Sequence, residues 1–235
     1  MTEKRVALIT GSSRGIGRHL AQHLTARNFE VVGCSRTAAE PTDATNYTHL
    51  IANVGLEEDI AKLFRTIRTR YGRLDIVINN AAVNPAIGLS MLTSRSAATE
   101  TLMTNVLGTF AVSREAAKLM MRGKWGRVIN FSSMAVRHEI AGEAIYSASK
   151  AAIQTLTRVM AKELYRYGIT CNAIAPAAIE TDMMNAVPKE ALREVLARNA
   201  IPEMGRLEDV SNAVDWLIQP ESQAVTGQVI FLGGA

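Results

Sequence analysis

Short apolar runs rich in branched residues alternate with longer runs whose apolar residues recur every three or four positions, from Arg5 to Leu232. Few folds are compatible with that order. Arg5–Thr10 reads as a strand, Gly15–Asn28 as a helix with Ile16, Leu20 and Leu24 on one face, and Glu30–Cys34 as a second strand. Arg36–Tyr47 is polar and contains Pro41, which predicts a loop, and His49–Ala52 resumes as a short strand. Leu56–Arg70 then predicts a helix and Leu74–Ile78 a strand, followed by a long helix over Ala97–Met121 and a strand near Val128. A helix over Tyr146–Tyr165, a strand Thr170–Ala175, helices Pro188–Arg198 and Leu207–Ile218 and a strand Gln228–Leu232 complete the series. Parallel strands need right-handed crossovers, so the alternation predicts an α/β doubly wound parallel sheet with helices on both faces. The 235 residues contain no linker-like stretch or shift of composition, which predicts a single domain over 1–235.

The first strand-to-helix junction reads Thr10-Gly11-Ser12-Ser13-Arg14-Gly15-Ile16-Gly17. Glycines there permit a tight turn, let backbone approach a phosphate and allow close helix packing, and the unpaired N–H groups of the helix start would meet a dinucleotide pyrophosphate. The spacing is GxxxGxG rather than GxGxxG. Beyond the second strand, where an acidic residue would favour a free ribose 2′-hydroxyl, stands Arg36, and Arg14 adds a second positive charge within the turn. The pair favours NADP(H) over NAD(H), although two solvated surface arginines would leave the same trace.

Tyr146 and Lys150 lie four apart at the start of a predicted helix, on one face. A neighbouring cation can lower a phenol's ordinary pKa of about 10 by roughly 1–3 units, so the pair is a candidate general acid. Ordinary exposed helices carry such pairs too. Here Ser133 ends the apolar segment Val128–Phe131 just upstream, offering a hydroxyl at a strand's end.

Composition narrows the remaining classes. The net charge of +4, from 26 basic and 22 acidic side chains, contains no block of like charge and argues against a nucleic-acid groove. Cys34 and Cys171 sit in apolar strand contexts and read as buried thiols. His19, His23, His49 and His138 lack metal-ligand spacing, so no metal is expected. No run approaches the roughly 18–20 apolar residues of a membrane span, and the first apolar run belongs to the fold, so a cytoplasmic protein without a cleaved leader is expected. Apolar residues on more than one face of the helices over 97–121 and 146–165 predict a homodimer or homotetramer through them.

Together, TGSSRGIG at Thr10–Gly17, NNA at Asn79–Ala81, Asn105, Ser133, YxxxK at Tyr146–Lys150 and Thr181 beyond Pro176 resemble the short-chain dehydrogenase/reductase family, over about Arg5 to Gly234. The resemblance implies a Rossmann-type sheet of about seven strands and a carbonyl reductase or alcohol dehydrogenase. It implies that Tyr146 exchanges the proton, Ser133 orients the carbonyl, and Lys150 lowers the tyrosine pKa and holds the nicotinamide ribose. Asn105 would position a water in a relay to that lysine. Cofactor contacts would come from Gly11, Ser13, Arg14, Gly15, Ile16, Gly17, Arg36, Asn53, Val54, Asn80, Ala81, Pro176, Ile179 and Thr181, besides Tyr146 and Lys150. Five departures accompany the likeness. Ala82, Ala177 and Val136 replace usual glycines, Asn53 a usual aspartate near adenine, and no aspartate precedes Gly233 and Gly234.

Within the family the pattern is most similar to 3-oxoacyl-[acyl-carrier-protein] reductases, which implies a β-keto thioester carried by an acyl carrier protein. Arg122, Lys124 and Arg127, with Arg166, form a basic strip that an acidic carrier could meet, or that water alone could solvate. The segment Asn84–Arg95 and the polar Arg137, His138 and Glu139 keep a sugar or other small hydroxy compound as the alternative substrate. A non-catalytic NADP(H) sensor or scaffold is the reading of another class.

Overall fold

The computed structural model describes residues 4–40, 42–85, 88–179 and 189–234. Its strands are β1 (Val6–Thr10), β2 (Glu30–Ser35), β3 (Tyr47–Ile51), β4 (Ile76–Asn79), β5 (Gly126–Phe131), β6 (Ile169–Ala175) and β7 (Val229–Phe231). They form one sheet in the order β3-β2-β1-β4-β5-β6-β7, and every pairing is parallel. The helices are α1 (Gly15–Ala26), α2 (Glu57–Tyr71), α3 (Arg95–Leu102), α4 (Thr109–Gly123), α5 (Ala135–His138), α6 (Ala144–Leu164), α7 (Lys189–Leu196) and α8 (Leu207–Ile218). The expected doubly wound sheet is therefore present, with boundaries moved by one or two residues in most elements.

Alternating side chains of one strand feed two cores. From β1, Val6 and Leu8 join Ile60, Phe64 and Ile67 of α2, Val112 and Met120 of α4, and Met160 and Leu164 of α6. Ala7 and Ile9 point the other way, to Leu20 and Leu24 of α1 and Val210, Val214 and Leu217 of α8. Because helices cover both faces, β1, β4, β5 and β6 are buried at every position, with apolar residues dominant and polar side chains such as Arg127, Asn130 and Asn172 buried among them.

The predicted 97–121 helix is two α-helices joined by a π-helical turn over Met103–Gly108. Apolar spacing cannot reveal that turn, which inserts a wider loop of backbone around Asn105. Gly108 makes it possible: a Cβ there would stand 2.7 Å from the Val54 carbonyl oxygen. Exposed Leu102, Leu107, Phe110, Val159 and Tyr165 lie along this unit and α6 and the turn after it, as the sequence suggested.

One surface expectation fails. Arg127 is completely buried on β5, stacked at 4.3 Å from the Trp125 ring, and donates to the Gly126, Gln219 and Pro220 carbonyl oxygens. Burial holds its pKa down to about 10, and it cannot belong to a basic docking strip. Among the described residues, no helix is long and apolar enough to cross a membrane.

Candidate active site

The sheet order reverses direction between β1 and β4, and the ends of these two strands carry the glycine turn and Asn79-Asn80-Ala81. A crevice at such a switch point is where open α/β sheets bind their ligands. Gly11 and Gly15 have φ of +70° and +55°, a left-handed backbone that favours glycine. A Cβ on Gly17 would stand 2.2 Å from the Gly11 oxygen and 2.5 Å from Asn80 Nδ2. Asn80 holds the turn in place by donating to the carbonyl oxygens of Thr10 and Gly11 at 3.0 and 3.1 Å. Backbone N–H groups of Asn80 and Ala81 donate to Thr10 Oγ1. The role expected for Asn80, steadying this side of the sheet, thus has a direct geometric form.

Helix α1 begins beyond this turn with Arg14 at its N-cap, no side chain capping it and no acidic residue in its first turn. Its free N–H groups and the bare backbone of Gly11, Gly15 and Gly17 suit a pyrophosphate. Ser13 and Ile16 are partly exposed on the same turn. Arg36 follows β2 directly and pairs with Glu100 of α3 at 3.0 Å, both side chains about half exposed. An anion at Arg36 must therefore compete with Glu100, a residue the sequence reading passed over.

Asn53 and Val54 follow β3. The Asn53 side-chain oxygen accepts from the Gly55 N–H at 2.9 Å, which closes a local turn and leaves its second lone pair for an adenine amino group. Val54 is buried against the π turn. Pro176 and Ile179 lie beyond β6: the Pro176 oxygen accepts from the Met134 N–H, and Ile179 forms an isolated bridge with Gly205. Thr181 lies outside the described residues. Ala177 is accommodated by Gly233, where a Cβ would come within 2.9 Å of the Ala177 methyl. These two departures from the family pattern are thus neighbours in space.

Four predicted catalytic residues converge beyond β5. The Ser133 hydroxyl accepts from the Ala135 N–H at 3.1 Å and shares a hydrogen bond with the Tyr146 phenol. Lys150 is buried, with Nζ 5.7 Å from the Tyr146 ring centroid and donating at 2.9 Å to the Phe131 oxygen at the end of β5. Ser132 links back to the Lys150 carbonyl oxygen and accepts from Gln154, which fixes α6 against the strand. Asn105, in the π turn, accepts from the Val83 N–H and donates to the Val83 oxygen and to Ser149 Oγ. Its amide is pinned between the loop after β4 and α6.

Burial pushes the Tyr146 phenol up to about 12; the Ser133 hydrogen bond pulls it down, and the charge of Glu143 adds to the rise. Burial also brings Lys150 down to about 8 and weakens its hold on a proton. Tyr146 therefore stands protonated at neutral pH, as a proton donor must, and Lys150 stands close to its own midpoint.

Several neighbours carried no sequence signal. Asn79 donates to Ser113 and Asn130, and Asn130 to Thr157, an amide ladder that ties β4 and β5 to α4 and α6 beneath the site. Glu143 lies one turn before Tyr146, and Asn84 donates to it at 3.4 Å. An acidic residue three before a tyrosine near a helix start was the only available clue.

Comparison with known proteins agrees with this geometry. Residues 11–234 match the family described as Enoyl-(Acyl carrier protein) reductase. A short-chain type dehydrogenase/reductase of Picea abies is 36% identical, over 98% of this chain and 91% of its own. The 3-oxoacyl-[acyl-carrier-protein] reductase FabG of Vibrio cholerae is 32% identical, over 99% and 97%. A solved structure described as ElxO with NADP bound superposes with a TM-score of 0.89 at 25% identity, over 98% of this chain and 97% of that one.

Proposed function

This chain belongs to the short-chain dehydrogenase/reductase family, and we propose that it is an NADP(H)-dependent carbonyl reductase whose proton donor is Tyr146. The observation that carries the reading is the convergence of Ser133, Tyr146 and Lys150 at the end of β5, beside a glycine turn that suits a pyrophosphate.

The bound cofactor would supply the hydride that attacks the carbonyl carbon. Ser133 and Tyr146 present two hydroxyls to the carbonyl oxygen and fix its position. As negative charge develops on that oxygen, the Tyr146 proton moves to it and yields the alcohol. The resulting phenolate faces the Lys150 ammonium, which stabilises it. A lysine with a pKa near 8 surrenders a proton readily, so Lys150 is suited to restoring the phenol through water near the Asn105 turn. Arg36 and Arg14 would receive the 2′-phosphate, the glycine turn the pyrophosphate, Asn53 the adenine and Thr181 the nicotinamide carboxamide.

Likeness to the FabG reductases supports a 3-oxoacyl thioester as substrate. A second reading, a small hydroxylated carbonyl, is favoured by Glu143 and Asn84 beside the tyrosine, and the burial of Arg127 weakens the case for a carrier-protein strip. Exposed Leu107, Phe110 and Val159 support assembly of copies through α4 and α6. The test is a side-by-side assay of a 3-oxoacyl thioester, simple ketones and keto-sugars with NADPH and NADH. NADPH-dependent turnover of at least one carbonyl is expected; cofactor binding with no turnover across the panel would favour a sensor instead.

A further inference from the structure

Glu143 ends the connection between α5 and α6, and its backbone oxygen accepts the Ser147 N–H at 2.8 Å as α6 begins. It is the N-cap of α6, three residues before Tyr146, close enough for its charge to act on the phenol. The neighbouring loop after β4 closes against it: Gly88 N–H donates to the Gly142 oxygen at 3.0 Å, and Asn84 Nδ2 reaches Glu143 Oε1 at 3.4 Å. That single long hydrogen bond is the carboxylate's side-chain partner among the described residues, and no ion pair there joins it. A partly buried carboxylate has about four acceptor sites, and one long hydrogen bond from Asn84 leaves capacity for a further donor.

We propose that Glu143 and Asn84 form a polar subsite beside Tyr146 that holds a hydrogen-bond donor, a hydroxyl or a protonated amine, on the carbon next to the reacting carbonyl. The inference rests on the reading of Tyr146 as the proton donor to a carbonyl. With the carbonyl oxygen held by Tyr146 and Ser133, the adjacent carbon of the substrate falls toward Glu143 at the start of α6. A donor there takes up acceptor capacity that Asn84 leaves and partly neutralises a charge that otherwise opposes ionisation of the phenol. Burial already raises the Glu143 pKa, which marks the carboxylate as short of donors. A methylene at the same place offers neither effect, so an acyl chain would leave Glu143 with Asn84 alone.

The test compares three ketones of nearly equal size, hydroxyacetone, aminoacetone and butanone, with NADPH, using wild type, Glu143→Gln and Glu143→Leu. NADPH affinity is measured alongside to confirm that each variant is folded. Wild type is expected to prefer hydroxyacetone or aminoacetone over butanone by roughly 10–100-fold in kcat/KM, and Glu143→Leu to bring that ratio close to one. Glu143→Gln keeps an acceptor, so it should retain a hydroxyl preference and lose an ammonium preference, which separates the two donors. A wild-type ratio near one, or a ratio unchanged in Glu143→Leu, overturns the subsite while leaving the reductase reading intact. Turnover of no carbonyl by wild type overturns both.

Discussion

Replacing Arg36 or its partner Glu100 separates the two nicotinamides by a predictable amount. The Arg36–Glu100 pair spans 3.0 Å with both side chains about half exposed, so breaking it costs only about 0.2–1 kcal/mol. Hydrogen bonds from a guanidinium to a phosphate contribute about 1.5–3 kcal/mol. The surplus predicts that Arg36→Ser weakens NADPH by about 0.5–3 kcal/mol, or ~2–150-fold in Kd, and leaves NADH unchanged. Glu100→Gln frees the arginine and removes a charge that repels the 2′-phosphate, so it should tighten NADPH by up to about fivefold without affecting NADH. Titration of NADPH and NADH fluorescence at two salt concentrations reads both effects, which should shrink at high salt because the groups are exposed. Equal weakening of both cofactors by Arg36→Ser, or weaker NADPH binding by Glu100→Gln, would refute the assignment.

Gly17→Ala places a methyl 2.2 Å from the Gly11 oxygen, so the turn must open. A stability loss of about 1–3 kcal/mol in urea and loss of NADPH fluorescence enhancement are expected, and tight binding by the variant would contradict the cradle. Burial lowers the folded pKa of Lys150 from 10.5 to about 8, so between those values the unfolded chain holds a proton that the folded chain has released. Stability from this group therefore rises with pH across that window, by roughly 3 kcal/mol. Wild type should gain about 2 kcal/mol of that on Lys150→Met between pH 8 and 10, a comparison in which the high-pH titrations of Cys34 and Cys171 cancel. A pH-independent difference would show that Lys150 is not desolvated.

The sheet was legible because its strands are covered on both faces: mainly apolar runs such as Val6–Thr10 and Ile76–Asn79 admit little else. Gly11, Gly15, Ser133, Tyr146 and Lys150 were legible because their chemistry depends on local spacing at strand ends and a helix start. Arg127 misled because a charged residue beside Trp125 reads as surface, whereas its charge is satisfied by carbonyls of residues 219 and 220, far along the chain. Glu100 and Glu143 were invisible for the same reason, since each matters through a partner on another element. The tyrosine pKa was inferred from one neighbour, Lys150, while burial of both groups sets the actual balance.

The central claim is that Tyr146 gives its proton to a carbonyl and does little for cofactor affinity. Tyr146→Phe removes only the hydroxyl that Ser133 engages and leaves the Lys150 contact to the Phe131 oxygen in place. Measured together on one preparation, NADPH binding should stay within about threefold of wild type while kcat for carbonyl reduction falls by at least ~100-fold. Reduction that survives in Tyr146→Phe at a comparable rate would contradict the account.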